Sequence, residues 1–409
     1  MERIELLAPA GDLEKMKIAI EYGADAVYFG GEIFSLRAGA TNFSKEQMIE
    51  GIEFVHSRGK KCHMAINIFP HNYDIDQLIE YLEDIKDLGI DAFIVSDPGT
   101  ISLVQDIIPN AEIHLSTQAN LTNYKTAEFW AKQGVKRVVM ARELSLEEMI
   151  SMRENIPEDL DTEAFVQGAM CISYSGRCLL SNFMIERDAN RGQCAHPCRW
   201  KYSLVEEQRP NEYYPVYEDE RGTYIMNSKD LCMIEHIPDL VKAGISSAKI
   251  EGRMKSAFYV ATVVSVYRKA LDSYYADPEN YKFDESWIKE LKKVSHREFT
   301  TGFYYGKADN EAQNYNTSAY EREYSFIGLV KDFDEATMMA TVEQRNKMVI
   351  GDNIEVFGPY TDFFEQKIEI MQDQDGNPIE SAPHPQQIIK IKMDKPVKEN
   401  FILRMRKDK

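Results

Sequence analysis

Short apolar runs alternate with amphipathic stretches through the first 170 residues. Each run ends in small or polar residues: Ile4–Ala8 before Gly11-Asp12, Ala26–Phe29 before Gly30-Gly31, Lys61–Ile66 before Asn67, and Ala92–Val95 before Ser96-Asp97-Pro98. The pattern continues with Glu112–Leu115 before Ser116-Thr117-Gln118, Arg137–Met140 before Arg142-Glu143, and Glu163–Val166 before Gln167-Gly168. Between them, apolar residues recur at three-to-four spacing, as in Leu78, Ile79, Leu82 and Ile85, which predicts one-sided helices. Gly23-Ala24, Gly89-Ile90, Gly134-Val135 and Gly244-Ile245 each precede a predicted strand and read as helix-ending turns.

Seven strand–helix units by residue 168 favour a closed (β/α)8, TIM-like barrel over an open doubly wound sheet. The eighth strand is expected at Ser247–Ile250, followed by a helix from about Ser256 to Tyr275. An insertion spanning about 169–246 therefore separates strands seven and eight, on the carboxyl side of the barrel, where such folds carry their sites. After about residue 320 the period shortens. Phe326–Val330, Met338–Val342, Asn353–Phe357, Glu365–Met371 and Ile388–Met393 read as short strands joined by turns such as Asp375-Gly376. The expected organisation is a barrel over 1–280, a connector over 281–320, and a small all-β, barrel-like domain over 321–409. No Ser/Gly-rich linker divides them, so they are expected to pack together.

Composition narrows the function. The chain has 409 residues, 44% of them hydrophobic. No segment offers the run of about 20 apolar residues that a membrane helix needs. Met1-Glu2-Arg3 leads straight into the first strand without a signal peptide, so a cytoplasmic protein is expected. A net charge of −19 argues against nonspecific nucleic-acid binding. Two basic stretches stand out against that charge. Residues 390–409 carry eight basic and three acidic side chains, and Arg187, Arg191, Arg199 and Lys201 cluster in the insertion.

That insertion also holds four of the six cysteines: Cys171, Cys178, Cys194 and Cys198. In a reducing compartment such a group suggests soft-metal ligation rather than disulfides. The spacing C-x6-C-x15-C-x3-C contains a single short pair, whereas structural zinc sites usually show two. A 4Fe–4S cluster held from separate loops fits better, with zinc as the alternative. Cys232 is an alternate fourth ligand, and Cys62, inside the third strand, reads as core.

The stretch from Glu163 to Ser181 satisfies E-x-F-x2-G-A-M-C-x4-G-x-C-x-L-S at every fixed position. It resembles the signature of the collagenase-like peptidase U32 family. Ala8-Pro9-Ala10-Gly11, Tyr28-Phe29-Gly30-Gly31 and Lys249-Ile250-Glu251-Gly252-Arg253 extend the likeness. One departure is Gln167, where many relatives carry His. The arrangement Arg187-Asp188-Ala189-Asn190-Arg191-Gly192-x-Cys194, followed by Cys198-Arg199-Trp200, resembles the family's RNA-hydroxylating branch. That likeness implies a 4Fe–4S cluster on Cys171, Cys178, Cys194 and Cys198. It also implies oxygen-independent conversion of a wobble uridine in tRNA to 5-hydroxyuridine, with prephenate as co-substrate.

A dicarboxylate such as prephenate calls for fixed cations. Arg37, Arg142, Lys249 and Arg253 are expected on the carboxyl face, with Gln118, Glu143 and Glu251 orienting substrate or moving protons. Tyr174 and Trp200 are candidates to stack on an extruded base. The family's name makes a peptidase the runner-up, although the chain has neither an H-E-x-x-H helix nor a G-x-S-x-G elbow. A non-enzymatic accessory protein that binds a metabolite or RNA is the third reading.

Overall fold

The structure, a computed structural model, describes residues 3–36, 42–171, 173–200, 203–206, 209–215, 229–306 and 321–407. Arg37, Lys201, Lys409 and the connector beyond residue 306 lie outside the described residues.

Eight parallel strands close into a barrel. They are β1 (Glu5–Pro9), β2 (Ala26–Phe29), β3 (Lys61–Ile66), β4 (Ala92–Val95), β5 (Glu112–Leu115), β6 (Arg137–Val139), β7 (Asp161–Ala169) and β8 (Ser247–Ile250). Each pairs with its successor in the chain, β7 with β8 across the insertion, and β8 closes the ring onto β1. Local chemistry starts the helices where the sequence marks them. Asp12, Asp97, Asn123, Ser145 and Ser256 each accept a backbone N–H of the first helical turn. Ser44 and Ser145 form full capping boxes with Gln47 and Glu148. The four glycines expected to end helices all have positive φ, from +70° to +111°.

β7 is more than twice as long as its neighbours because its end serves a second partner. Beyond the barrel rim, Asp230–Cys232 runs antiparallel to it, pairing Asp230 with Ala169 and Cys232 with Gln167. The insertion thus leaves the barrel at Ala169 and returns beside the same strand. Between these points lie the short helix Leu180–Ile185 and the hairpin Ser203–Glu206/Arg209–Pro215.

The C-terminal part is a seven-stranded antiparallel sheet ordered Phe364–Lys367, Asn353–Phe357, Ile402–Arg406, Tyr324–Asp334, Met339–Gln344, Ile388–Lys392 and Met371–Gln372. One expectation is corrected. Residues 365–371 are not one strand: Phe364–Lys367 and Met371–Gln372 lie on opposite edges of the sheet. Between them, Ile368 donates its backbone N–H to Asp352 and carries the chain across. The basic C-terminus also contains a sheet-central strand, Ile402–Arg406. Its Arg404 is fully buried, paired with Glu355 at 2.6 Å and Glu290 at 2.7 Å, and stacked over Phe357. Arg404 is therefore spent on structure, while Lys392, Lys395, Lys398, Arg406 and Lys407 stay exposed.

The two parts do pack together. Leu329, Phe357 and Ile402 belong to the barrel's outer core, and the Tyr22 hydroxyl donates to the Asn400 carbonyl at 2.9 Å. Among the described residues no helix is long and apolar enough to cross a membrane.

Candidate functional site

Side chains alternate along a strand, so one parity faces the barrel axis. At the amino-terminal end that parity is charged. Arg137 on β6 reaches Glu5 on β1 at 2.5 Å, Asp161 at 3.2 Å and Glu163 on β7 at 3.4 Å. Lys249 on β8 pairs with Glu163 at 2.6 Å, both fully or nearly buried. Burial pushes the Glu163 carboxyl up, but Lys249 and Arg137 outweigh it and hold it below the usual range. His63 and His114 meet edge to face at 4.7 Å. Burial drives both imidazoles down, so they sit neutral beside the ion pairs. They are packed interior residues, as their mid-strand positions suggest.

This charged layer underlies a cavity of about 520 Å³ at the carboxyl end of the barrel. Lys249 forms its floor, with its ammonium 4.5 Å from the Tyr28 ring centre and 5.5 Å from that of Phe165. Arg142 enters from the β6 loop, lying 3.9 Å over Phe165. It donates to the Ala169 carbonyl at 3.1 Å and meets Glu251 at 3.7 Å. Gln118 accepts from the Asn67 amide at 3.2 Å and from the Ser116 hydroxyl. A ring of cation, carboxylate and amide groups thus surrounds a partly apolar space, the usual constitution of a small-molecule site.

The signature sequence explains how the wall is built. Gly168 has φ +112°, and a Cβ there would sit 2.6 Å from the Glu251 carbonyl oxygen. Only glycine lets β7 turn out against the β8 loop. Cys171 and Cys178 follow that turn, and Cys194 and Cys198 return on the next loop. All four thiols line the cavity with Tyr174, His196 and Trp200. The loop is pinned from both sides. Ser181 accepts the Ala195 N–H at 3.1 Å. Arg191 forks onto Asp74 of the β3 loop at 2.8 and 3.0 Å. The Cys194 sulfur accepts the His196 N–H at 3.4 Å, a contact of the kind that tunes a ligating thiolate.

Six of the seven candidate polar residues are described, and five line the cavity: Gln118, Arg142, Lys249, Glu251 and Arg253. Arg253 is not a ready substrate clamp. It is buried and donates to the Leu36 carbonyl at 2.8 Å, Ser35 at 3.2 Å and Asn42 at 2.9 Å, so it secures the β2 loop. Glu143 lies outside the lining; burial raises its carboxyl above the usual range. Cys232 also lies outside it, in a core position where burial pushes its thiol up to about 12. Gln167 points into the core too and accepts from Tyr267 at 3.1 Å. Sequence reasoning missed Tyr28, Asn67 and Arg297, all in the lining. Asn67 had a signal, its place at a strand's carboxyl end. Arg297 had none, because it arrives from beyond the barrel and is held against Asp230 at 3.5 Å.

The donor set fits a thiolate-bound metal group. Among the described residues no three His, Cys, Asp or Glu side chains stand close enough to share one metal ion. A tetrahedral zinc with bonds of about 2.3 Å would need sulfurs about 3.8 Å apart. The four cysteines that line the cavity are of the donor type that iron–sulfur clusters use.

Comparison with known proteins agrees with the signature. The family model for peptidase family U32 matches residues 11–314, and that for the U32 C-terminal domain matches 322–404. The chain is 47% identical to tRNA hydroxylation protein P1 of Bacillus subtilis, covering 98% of this chain and 94% of that protein. It is 38% identical to tRNA hydroxylation protein P of Escherichia coli, covering 99% and 97%. A collagenase of Porphyromonas gingivalis is 32% identical over 89% of each chain. With a matched signature, barrel and C-terminal sheet, this chain belongs to peptidase family U32.

Proposed function

We propose that this protein is a tRNA-modifying enzyme that hydroxylates a wobble uridine without molecular oxygen, using a 4Fe–4S cluster and prephenate. The observation that carries this reading is the meeting of four thiols and a paired-cation floor in one cavity. The likeness to tRNA hydroxylation proteins over nearly the whole chain supplies the substrate class.

Cys171, Cys178, Cys194 and Cys198 would hold the cluster, which when bound supplies one-electron chemistry at the cavity wall. The other residues have separate work. Lys249, paired with Glu163, offers one anchor for a carboxylate of the co-substrate, and Arg142 offers a second in the same cavity. Glu251 faces the same space and is the group best placed to hold or pass a proton. Asn67 and Gln118 present amides that can orient a uracil edge. Tyr28 and Phe165 provide the apolar surface that excludes water.

Two measurements test this. Purified anaerobically, the protein should carry iron and acid-labile sulfide; stoichiometric zinc in their place would overturn the cofactor. Deleting the gene should remove 5-hydroxyuridine derivatives from host tRNA; unchanged nucleosides in a strain without a paralogue would overturn the reaction. The peptidase reading has the collagenase relative behind it. Beside the cysteines, the His196 backbone N–H donates to the Cys194 sulfur at 3.4 Å. Gelatin hydrolysis by the pure protein would reinstate the peptidase reading.

A further inference from the structure

The cysteine segment does more than supply thiols. Five exposed large apolar side chains fall between residues 174 and 200: Tyr174, Leu179, Phe183, Met184 and Trp200, with Phe183 at 88% exposure and Leu179 at 66%. The helix Leu180–Ile185 buries only Ser181, so folding gives no reason for a phenylalanine on its outer side. Tyr73, 75% exposed, adjoins the same segment under Arg191. Tyr174 and Trp200 line the cavity itself, and Leu179, Phe183 and Met184 stand on the same wall segment. Exposed large apolar side chains grouped on one segment at a site entrance mark an interaction face.

Charge selects the occupant. The chain carries −19 overall, yet residues 170–200 hold four arginines against two acidic residues. Arg177 and Arg187 are exposed among the aromatic and apolar side chains, while Arg191 is taken by Asp74. Flat side chains interleaved with arginines suit unpaired bases: every base has a stackable face, and guanidinium groups meet the phosphates between them. An apolar protein partner would gain nothing from this local positive charge on an acidic molecule.

We propose that Tyr174, Leu179, Phe183 and Trp200 form a stacking platform for the unpaired loop of the substrate RNA, with Arg177 and Arg187 on its phosphates. Loop bases beside the target would rest on the platform while the target base turns into the cavity. This rests on the tRNA-modifying reading for its choice of RNA, but it concerns binding alone.

The test uses the full-length, cluster-loaded protein and two fluorescent RNAs, a stem-loop with an unpaired uridine-containing loop and a fully paired duplex of matched length. Phe183→Ala combined with Leu179→Ser should weaken stem-loop binding by about tenfold and leave duplex binding within twofold. Phe183→Trp, which keeps a stacking surface, should restore it. Arg187→Glu should weaken both RNAs and flatten the salt dependence. Unchanged stem-loop affinity in the double variant would overturn the platform, as would an equal loss for both RNAs. So would a variant whose only change is from dimer to monomer, because the face would then be a protein interface. The two readings fail separately. If the gene deletion leaves tRNA nucleosides unchanged but the double variant still loses stem-loop binding, the hydroxylation reading falls and the platform stands.

Discussion

The floor of the cavity and its cysteine wall are built on opposite principles. The floor sits on strands, and its charges are paired before any ligand arrives: Lys249 with Glu163, and Arg137 with Glu5, Asp161 and Glu163. The wall is made of loops and a six-residue helix, with Cys171 exposed and Cys178, Cys194 and Cys198 half-buried. Strand-borne side chains are fixed by the barrel's own hydrogen bonds, whereas loop-borne thiols need something to hold them together. A charge anchor must not move when substrate binds. On the proposed reading, the floor is complete in the bare protein and the wall is finished by the cluster.

The largest effect falls on the wall. Replacing Cys171, Cys178, Cys194 or Cys198 with Ser should abolish iron and sulfide content and tRNA hydroxylation together, while thermal stability of the metal-free protein stays near wild type. Cys232→Ser, in the core, should retain iron and instead lower stability by about 1–2 kcal/mol. If Cys232→Ser lost iron and Cys198→Ser kept it, the division between wall and core would be wrong.

A second substitution addresses the floor. Lys249→Met leaves Glu163 buried against Arg137 alone and should cost about 3–5 kcal/mol by urea denaturation. Adding Glu163→Gln should recover part of the stability but none of the activity, because an uncharged pair can pack without anchoring a carboxylate. Iron content should be unaffected by either change. Full activity in the double variant would remove Lys249 from the site.

Gly168 is the point where floor becomes wall. Gly168→Ala places a methyl against the Glu251 carbonyl in a backbone conformation that L residues avoid. A loss of about 2–3 kcal/mol is expected, with reduced iron incorporation, as both ends of the turn shift. A variant that is destabilised yet loads iron normally would show that the wall does not depend on this turn.

The same contrast explains what the sequence reveals. The barrel strands are legible because each is a local run bounded by local punctuation, and Lys249 and the cysteines lie at positions that this counting places on the carboxyl face. Pairings between distant segments leave no local trace. Asp230–Cys232 beside β7 and Ile402–Arg406 at the centre of a sheet are strands that no local punctuation marks. Arg253 looks like a ligand-binding arginine until its partners, which are remote in sequence, are seen. An arginine's residue type announces a fork, but only the fold says whether the fork is already filled.

The smallest predicted effect tests whether the wall depends on the scaffold at all before it is occupied. Arg191 and Asp74 join the cysteine loop to the β3 loop through two hydrogen bonds. The bonds from Arg191 hold the Asp74 carboxyl below its usual range. A depressed carboxyl contributes stability above its unfolded pKa of about 3.9 and loses it as pH falls through the folded value. Asp74→Asn keeps the shape and removes the charge. It should cost about 1–2 kcal/mol at neutral pH, the range of hydrogen bonds to a charged group. The gap in melting temperature between the metal-free wild type and Asp74→Asn should close as pH is lowered below about 4. The cysteines of the variant should react faster with a thiol reagent at pH 7, because the loop that carries Cys194 is released, while buried Cys62 and Cys232 stay protected. Equal thiol reactivity in the two proteins would mean that the backbone alone holds the wall, and that the occupant completes a site already set by the chain.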